Sequence, residues 1–187
     1  MFLSKKRDIV EAFDYFISLI QNPELKKTCK NLKNYPDFWT SIASLRFHHN
    51  FESGLIIHTL EVTDLAVHTA EKVSFCNLDI LIASCLWHDL AKIWEYRKLD
   101  TENWGKNETY SSRVGHISGS LSEFSSIART CKVSKDIVEQ VQHCILSHHG
   151  RKEWGSPVSP ISAEAIILHN SDMISAMCPK YLKKIDD

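Results

Sequence analysis

An all-α fold follows from three observations. Apolar residues recur at helical spacing through most of the chain, Asn, Ser, Pro and Gly punctuate these runs where helices would start and stop, and no run alternates with the period of a strand in a way that demands a sheet. The expected architecture is a helical bundle with, at most, a small hairpin or lid loop. With 187 residues the chain can bury a sizeable core without disulfides or a structural metal, so a bound metal would serve chemistry rather than folding. It reads as one unit over 1–187, with packing helices in 1–46 and a core that carries the chemistry in 47–177.

The elements follow in order. Residues 6–21 place Ile9, Val10, Phe13, Phe16, Ile17 and Ile20 on one helical face, Asn22-Pro23 ends that run, and a short helix covers about 24–32. After Tyr35-Pro36, a third apolar segment through Phe38, Trp39, Ile42 and Leu45 leads into Arg46-Phe47-His48-His49-Asn50-Phe51-Glu52-Ser53-Gly54. The histidines of that loop suit either a solvated surface or a wall that contacts substrate beside a site. Residues 55–72 form an amphipathic helix carrying His58, Glu61 and His68, and Asn77 is placed to cap the next helix. The polar stretch 97–113 reads as a loop or small hairpin. His116 opens a helix that breaks near Lys132, and Ser134 caps another that ends at Ser147-His148-His149-Gly150, with Gly150 as the stop. A second loop, 151–159, precedes a last helix that begins after Pro160 and holds His169 and Asp172.

The chemistry centres on Leu86-Trp87-His88-Asp89-Leu90-Ala91-Lys92. The preceding run from Leu78 to Cys85 is apolar almost throughout, which describes a buried helix delivering an imidazole and a carboxylate to the interior. Such groups are costly to bury without a partner, and a metal ion is a natural one. An imidazole gives a cation one lone pair, whereas the Asp89 carboxylate has two oxygens and can bridge two cations. Lys92 lies one turn beyond His88 on the same face. An ammonium that near to a cation makes sense if an anion such as phosphate lies between them; otherwise Lys92 extends to solvent or pairs with Glu95.

Composition narrows the function classes. A net charge of −1 excludes the strongly basic balance of a dedicated nucleic-acid binder, although a local groove can still be positive. The six cysteines form no Cys-x-x-Cys pair and several fall within apolar helical patterns, so they read as reduced core thiols. No run approaches the roughly 20 apolar residues of a membrane span, and the start of the chain lacks a signal-peptide pattern. A cytoplasmic protein without membrane association is expected.

Taken together, His58, His88-Asp89, His116, His148-His149 and Asp172 lie near the middles or ends of successive helices, and a bundle can bring such residues to one point. In this pattern the chain resembles the HD-domain metal-dependent phosphohydrolases, in the version with extra histidines that holds two metals. The run His48-His49-Asn50-Phe51-Glu52-Ser53-Gly54-Leu55 before His58-Thr59-Leu60-Glu61, and Ile145-Leu146-Ser147-His148-His149-Gly150 before Glu153-Trp154-Gly155-Ser156-Pro157-Val158, resemble the catalytic domain of YhaM-type 3′-5′ exoribonucleases. Departures from that pattern are Ser53, Ile57, Ala91 and Ser175, none of them a ligand position. The chain also starts directly with helices where those exonucleases carry a nucleic-acid-binding barrel.

The resemblance implies one metal held by His58, His88, Asp89 and Asp172 and a second held by Asp89, His116, His148 and His149. Donor sets rich in imidazole favour manganese, iron, cobalt or nickel over magnesium. It further implies that Asp89 and Lys92 are catalytic, Asp89 fixing the metal pair and Lys92 steadying a phosphoryl oxygen. His48, His49, Lys92, Glu153 and Trp154 would face the substrate, a nucleotide or short RNA or DNA. The activities in view are a phosphodiesterase of exonuclease type, a nucleotidase acting on phosphomonoesters, and a non-catalytic nucleotide-binding module. His68 and His169 are placed outside the site.

Overall fold

The computed structural model describes residues 6–101 and 103–178. The chain begins with α1 (Lys6–Leu19) and α2 (Pro23–Lys30), separated by a corner at which Asn22 accepts the Leu25 N–H at 2.8 Å and so caps α2. Two single 3-10 turns, Asn31–Asn34 and Pro36–Trp39, lead through an irregular stretch to α3 (Gly54–Ala70). Next come α4 (Leu78–Trp87), the short α5 (Lys92–Glu95), and an antiparallel hairpin of β1 (Tyr96–Lys98) and β2 (Trp104–Lys106). The chain continues through α6 (Glu108–Arg113), α7 (Gly115–Thr130), α8 (Lys135–Ser147) and α9 (Ala163–Met177). Among the described residues no helix is long and apolar enough to cross a membrane.

Helix α4 is the hub, packed on α3, α8 and α9, with every residue from Ile80 to Trp87 buried. Its lack of a polar face, visible in the sequence, is what a helix enclosed on all sides requires. Both its ends are fixed. At the start, Asn77 accepts the N–H groups of Asp79 and Ile80, and Asp79 accepts those of Gln21 and Asn22 at 2.8 and 2.7 Å, which ties the α1–α2 corner to α4. At the end, Trp87 packs edge-on against Tyr35 and Phe124, holding the last turn between the N-terminal segment and α7. Residues of α1 and α2 share one apolar core with α3, α4, α8 and α9.

Three local expectations differ from what is observed. The apolar segment through Ile42 and Leu45 is helical only at Pro36–Trp39; beyond it the backbone ties back on itself, with the Ala43 N–H donating to the His49 carbonyl and the Leu55 N–H to that of Ser41. His49 and Ser53 take positive φ values of 48° and 66°, which a continuing helix excludes. The polar stretch 97–113 forms the hairpin and also a one-and-a-half-turn helix, α6, capped by Asn107. Ser134 occupies the cap position of α8 with extended backbone, but its side chain makes no capping bond.

The cap at Asn77 gives a stability test. Asn77→Ala should cost about 1 kcal/mol, read as a lower urea midpoint at unchanged slope, because it strands two N–H donors at the start of the hub helix.

Candidate metal centre

The turn that follows α4 carries His88 and Asp89 into the middle of the bundle, where α3 supplies His58 and α9 supplies Asp172. The ligand atoms of His58, His88, Asp89 and Asp172 all lie within 4.8 Å of one another, and all four residues are buried. Asp89 Oδ2 is 3.2 Å from His88 Nε2 and 3.5 Å from His58 Nε2, and Asp172 Oδ1 is 3.1 Å from His58 Nε2. On the other side, Asp89 Oδ1 stands 3.7 Å from both His116 Nε2 and His148 Nε2. His116, His148 and His149 form a second set of atoms within 4.8 Å of one another. Asp89 therefore turns one oxygen to each set.

The proton positions on the rings follow from their far sides. His88 Nδ1 donates to the Cys85 carbonyl at 2.8 Å, His148 Nδ1 to that of Ile145 at 2.7 Å, and His149 Nδ1 to that of Trp154 at 2.7 Å. A carbonyl can only accept, so each of these Nδ1 atoms carries hydrogen and each neutral ring keeps a lone pair on Nε2. Glu95 fixes His116 in the same way at 2.8 Å, and Ser111 in turn donates to the other Glu95 oxygen at 2.8 Å. Burial, with His149 and His88 close by, pushes the His148 imidazole well below its ordinary pKa; burial and His116 lower that of His149.

These lone pairs test whether a cation fits. His58 Nε2, His88 Nε2, His148 Nε2 and Asp89 Oδ1 are all buried without a hydrogen-bond partner in the protein. Buried polar atoms are nearly always satisfied, so four such atoms pointing at one region describe a site for a cation. His116 Nε2 and His149 Nε2 face each other at 3.3 Å, an arrangement of two lone pairs that is repulsive unless a proton or metal lies between them. At His58, burial opposes charge, but Asp172 and Asp89 outweigh it and raise the pKa, so a cation is favoured there too. The residues fit a divalent cation, and Asp89 turns an oxygen to each of the two sets.

A family model for the HD domain matches residues 55–177. The chain belongs to the HD-domain family. Within this HD domain the match begins at the start of α3 and ends with α9, so it takes in every residue of both ligand sets. The chain is 34% identical over 186 residues to the 3′-5′ exoribonuclease YhaM of Listeria monocytogenes serotype 4b (strain CLIP80459), covering 95% of this chain and 58% of that protein. The protein of the same name from Listeria welshimeri serovar 6b is 33% identical over 186 residues, with the same coverage. The chain thus spans 58% of the length of the curated relatives it matches. No solved structure matches it significantly.

The other residues singled out in the sequence are placed as follows. Lys92 is buried with its ammonium 2.6 Å from Asp89 Oδ2, so it pairs with Asp89 rather than with Glu95 or solvent. Burial alone would lower its pKa, but Asp89 outweighs that and raises it; reciprocally, burial would raise the Asp89 carboxyl, but Lys92 and His88 hold it well below the usual carboxylate range. His48 is half-buried, its ring 4.7 Å from that of His58, and burial together with His58 lowers its pKa to about 3. His49 is buried, with Nε2 2.9 Å from Glu61 Oε2. Glu153 and Trp154 lie exposed in the loop after α8, where Arg151 stacks over the Trp154 ring at 4.9 Å. His68 is exposed and bonds the Asp64 carbonyl of its own helix.

His169 is the residue that sequence reasoning undervalued. Its Nδ1 donates to the His148 carbonyl at 2.7 Å, and its ring packs where a Cβ at Gly150 would come within 2.4 Å of it. With φ at 81°, Gly150 both ends the helical run and makes room for that ring. His169 thus helps to hold the His148-His149 turn without facing the ligand sets.

Because Asp89 serves both sets, Asp89→Ala should remove bound divalent metal from both, as measured by elemental analysis of protein equilibrated with metal and freed of excess. The control His68→Ala should keep the wild-type metal content.

Proposed function

We propose that this HD domain is a phosphodiesterase that uses two divalent metal ions to hydrolyse the 3′ end of short nucleic acids or a small nucleotide diester. The observation that carries the reading is the set of imidazole Nε2 lone pairs converging on the two oxygens of one buried carboxylate. HD-domain membership and the exoribonuclease relatives support a metal-dependent hydrolase, and those relatives point to RNA as the substrate class. The imidazole-rich donor set suits manganese, iron, cobalt or nickel.

When bound, two such ions supply a nucleophilic water at neutral pH and neutralise charge on the phosphoryl oxygens. The chain's own residues then have distinct tasks. Asp89 keeps the two ligand sets at a fixed separation, and the acceptors behind His88, His116, His148 and His149 keep their rings from turning. Lys92 holds the inner oxygen of Asp89 with one proton and has two more for a non-bridging oxygen of the substrate. His48 on one rim and Trp154 with Arg151 on the other flank the nucleoside, and the Trp154 ring offers a face on which a base can stack.

Two measurements test this. Metal-loaded protein should release a 5′-mononucleotide from a dinucleotide faster than it releases phosphate from a nucleoside monophosphate; the opposite order would make it a nucleotidase. Lys92→Ala should leave metal content unchanged while lowering kcat by about 10²- to 10³-fold, the usual loss for one positioned donor to developing charge. A loss of metal instead would confine Lys92 to holding Asp89, and a loss in KM alone would confine it to ground-state binding.

A further inference from the structure

His58 differs from the other imidazoles of the centre in what lies behind it. Its Nδ1 is 2.9 Å from Ser175 Oγ, one turn beyond Asp172 on α9. Ser175 Oγ in turn donates at 2.9 Å to Glu61 Oε2, one turn beyond His58 on α3. The same Glu61 oxygen takes the Nε2 hydrogen of His49 at 2.9 Å, and His49 Nδ1 lies 3.1 Å from His48 Nδ1.

Counting hydrogens along this chain fixes every one of them. The Glu61 carboxylate can only accept, so the single Ser175 hydroxyl hydrogen points to it. The Ser175 oxygen must then accept from His58, which places a hydrogen on His58 Nδ1, so that the neutral ring keeps its lone pair on Nε2, 3.1 Å from Asp172 Oδ1. In the other direction, neutral His49 gives its hydrogen to Glu61 and accepts at Nδ1, so His48 is the donor there and carries its lone pair on Nε2. The network also secures a costly backbone conformation, since His49 sits at a φ of 48°.

We propose that Glu61 and Ser175 are positioning residues that form a relay from the His48-His49 loop to His58, fixing the His58 tautomer that can ligate a metal. The proposal rests on the metal-binding reading given above. It predicts that the two halves of the centre respond differently, because only the half containing His58 rests on Glu61 and Ser175, whereas His116 in the other half rests on Glu95 and Ser111. In the other half, His148 and His149 lean on backbone carbonyls that no substitution of Glu61 or Ser175 removes.

The test is a titration of the metal-free full chain with Mn²⁺, read by competition with a chelating dye. Ser175→Ala should weaken one Mn²⁺ site by about 10- to 100-fold, the usual effect of losing an outer partner of a ligand, and leave the second unchanged. Ser175→Thr, which keeps the hydroxyl, should restore most of the affinity. Glu61→Ala should weaken the same site, and the double variant should be no worse than the weaker single variant, since links in series do not add. Nitrogen-15 spectra of the metal-free protein, recorded at a pH high enough to make His58 neutral, should show His58 and His48 as Nδ1–H tautomers, with His58 losing that preference in Ser175→Ala and both losing it in Glu61→Ala. Unchanged affinity, equal weakening of both sites, additive losses, or failure of Ser175→Thr to rescue would overturn the relay. If wild type bound no Mn²⁺, the metal reading would fall, and the tautomer spectra alone would decide the relay.

Discussion

A buried anion with its charge intact is the constraint on which this structure turns. Asp89 is 1% exposed, and in that setting an unpaired carboxylate is prohibitively costly. The fold surrounds it with Lys92, His58 and His88 on Oδ2 and with His116 and His148 near Oδ1. These partners come from α3, the turn after α4, α5, α7 and the end of α8, so each of those elements has to start, pass or end at one place. The apolar α4 delivers the carboxylate, and the capping at Asn77 with the clasp of Trp87 keeps that helix from sliding. Packing of the bundle and geometry of the centre are therefore one problem, in which the core supplies the rigidity that converging lone pairs need.

The sequence made the hub legible because a helix buried on all sides has a distinctive composition, whereas His88-Asp89 at its end, taken alone, suits a helix cap or a surface hydrogen bond as well. The residues of the two clusters stand on or just beyond apolar helical runs, at separations that match one helix and one connection, but only the family resemblance joined them into one set. What stayed hidden were the groups behind the rings. Cys85, Ile145 and Trp154 act through their carbonyls, which every residue has, so their side chains carry no trace of the task. Glu61 and Ser175 are 114 residues apart in the chain and meet only because α3 packs on α9.

The loop before α3 shows a different limit. Ile42, which is buried, and Leu45, which is partly so, fall at helical spacing, which periodicity reads as helix. The left-handed backbone at His49 and Ser53 overrides that pattern, and neither residue type announces such a conformation. A glycine marks the place indirectly: a Cβ on Gly54 would meet the His49 carbonyl oxygen at 2.0 Å, so only glycine lets the loop close over the start of α3. His48 and His49 thereby take opposite roles despite being neighbours, one half-buried beside His58 and the other buried on Glu61.

The two ligand sets also differ in charge, and that difference bears on how they would share the work. One set combines two carboxylates, Asp89 and Asp172, with two imidazoles; the other relies on three imidazoles and the remaining oxygen of Asp89. A divalent ion would be more fully neutralised in the first set than in the second. The second set leaves more positive charge uncompensated and lies closer to the surface, where His116 and His149 are only partly buried. By electrostatics alone, that side, once loaded with metal, would attract an anionic phosphoryl group more strongly. Lys92, bonded to the Asp89 oxygen that faces the first set, adds a fixed positive charge where the first set would otherwise be negative. Asp89, with Lys92 on one oxygen and His116 and His148 near the other, thus couples the charge of the two sets as well as setting their spacing.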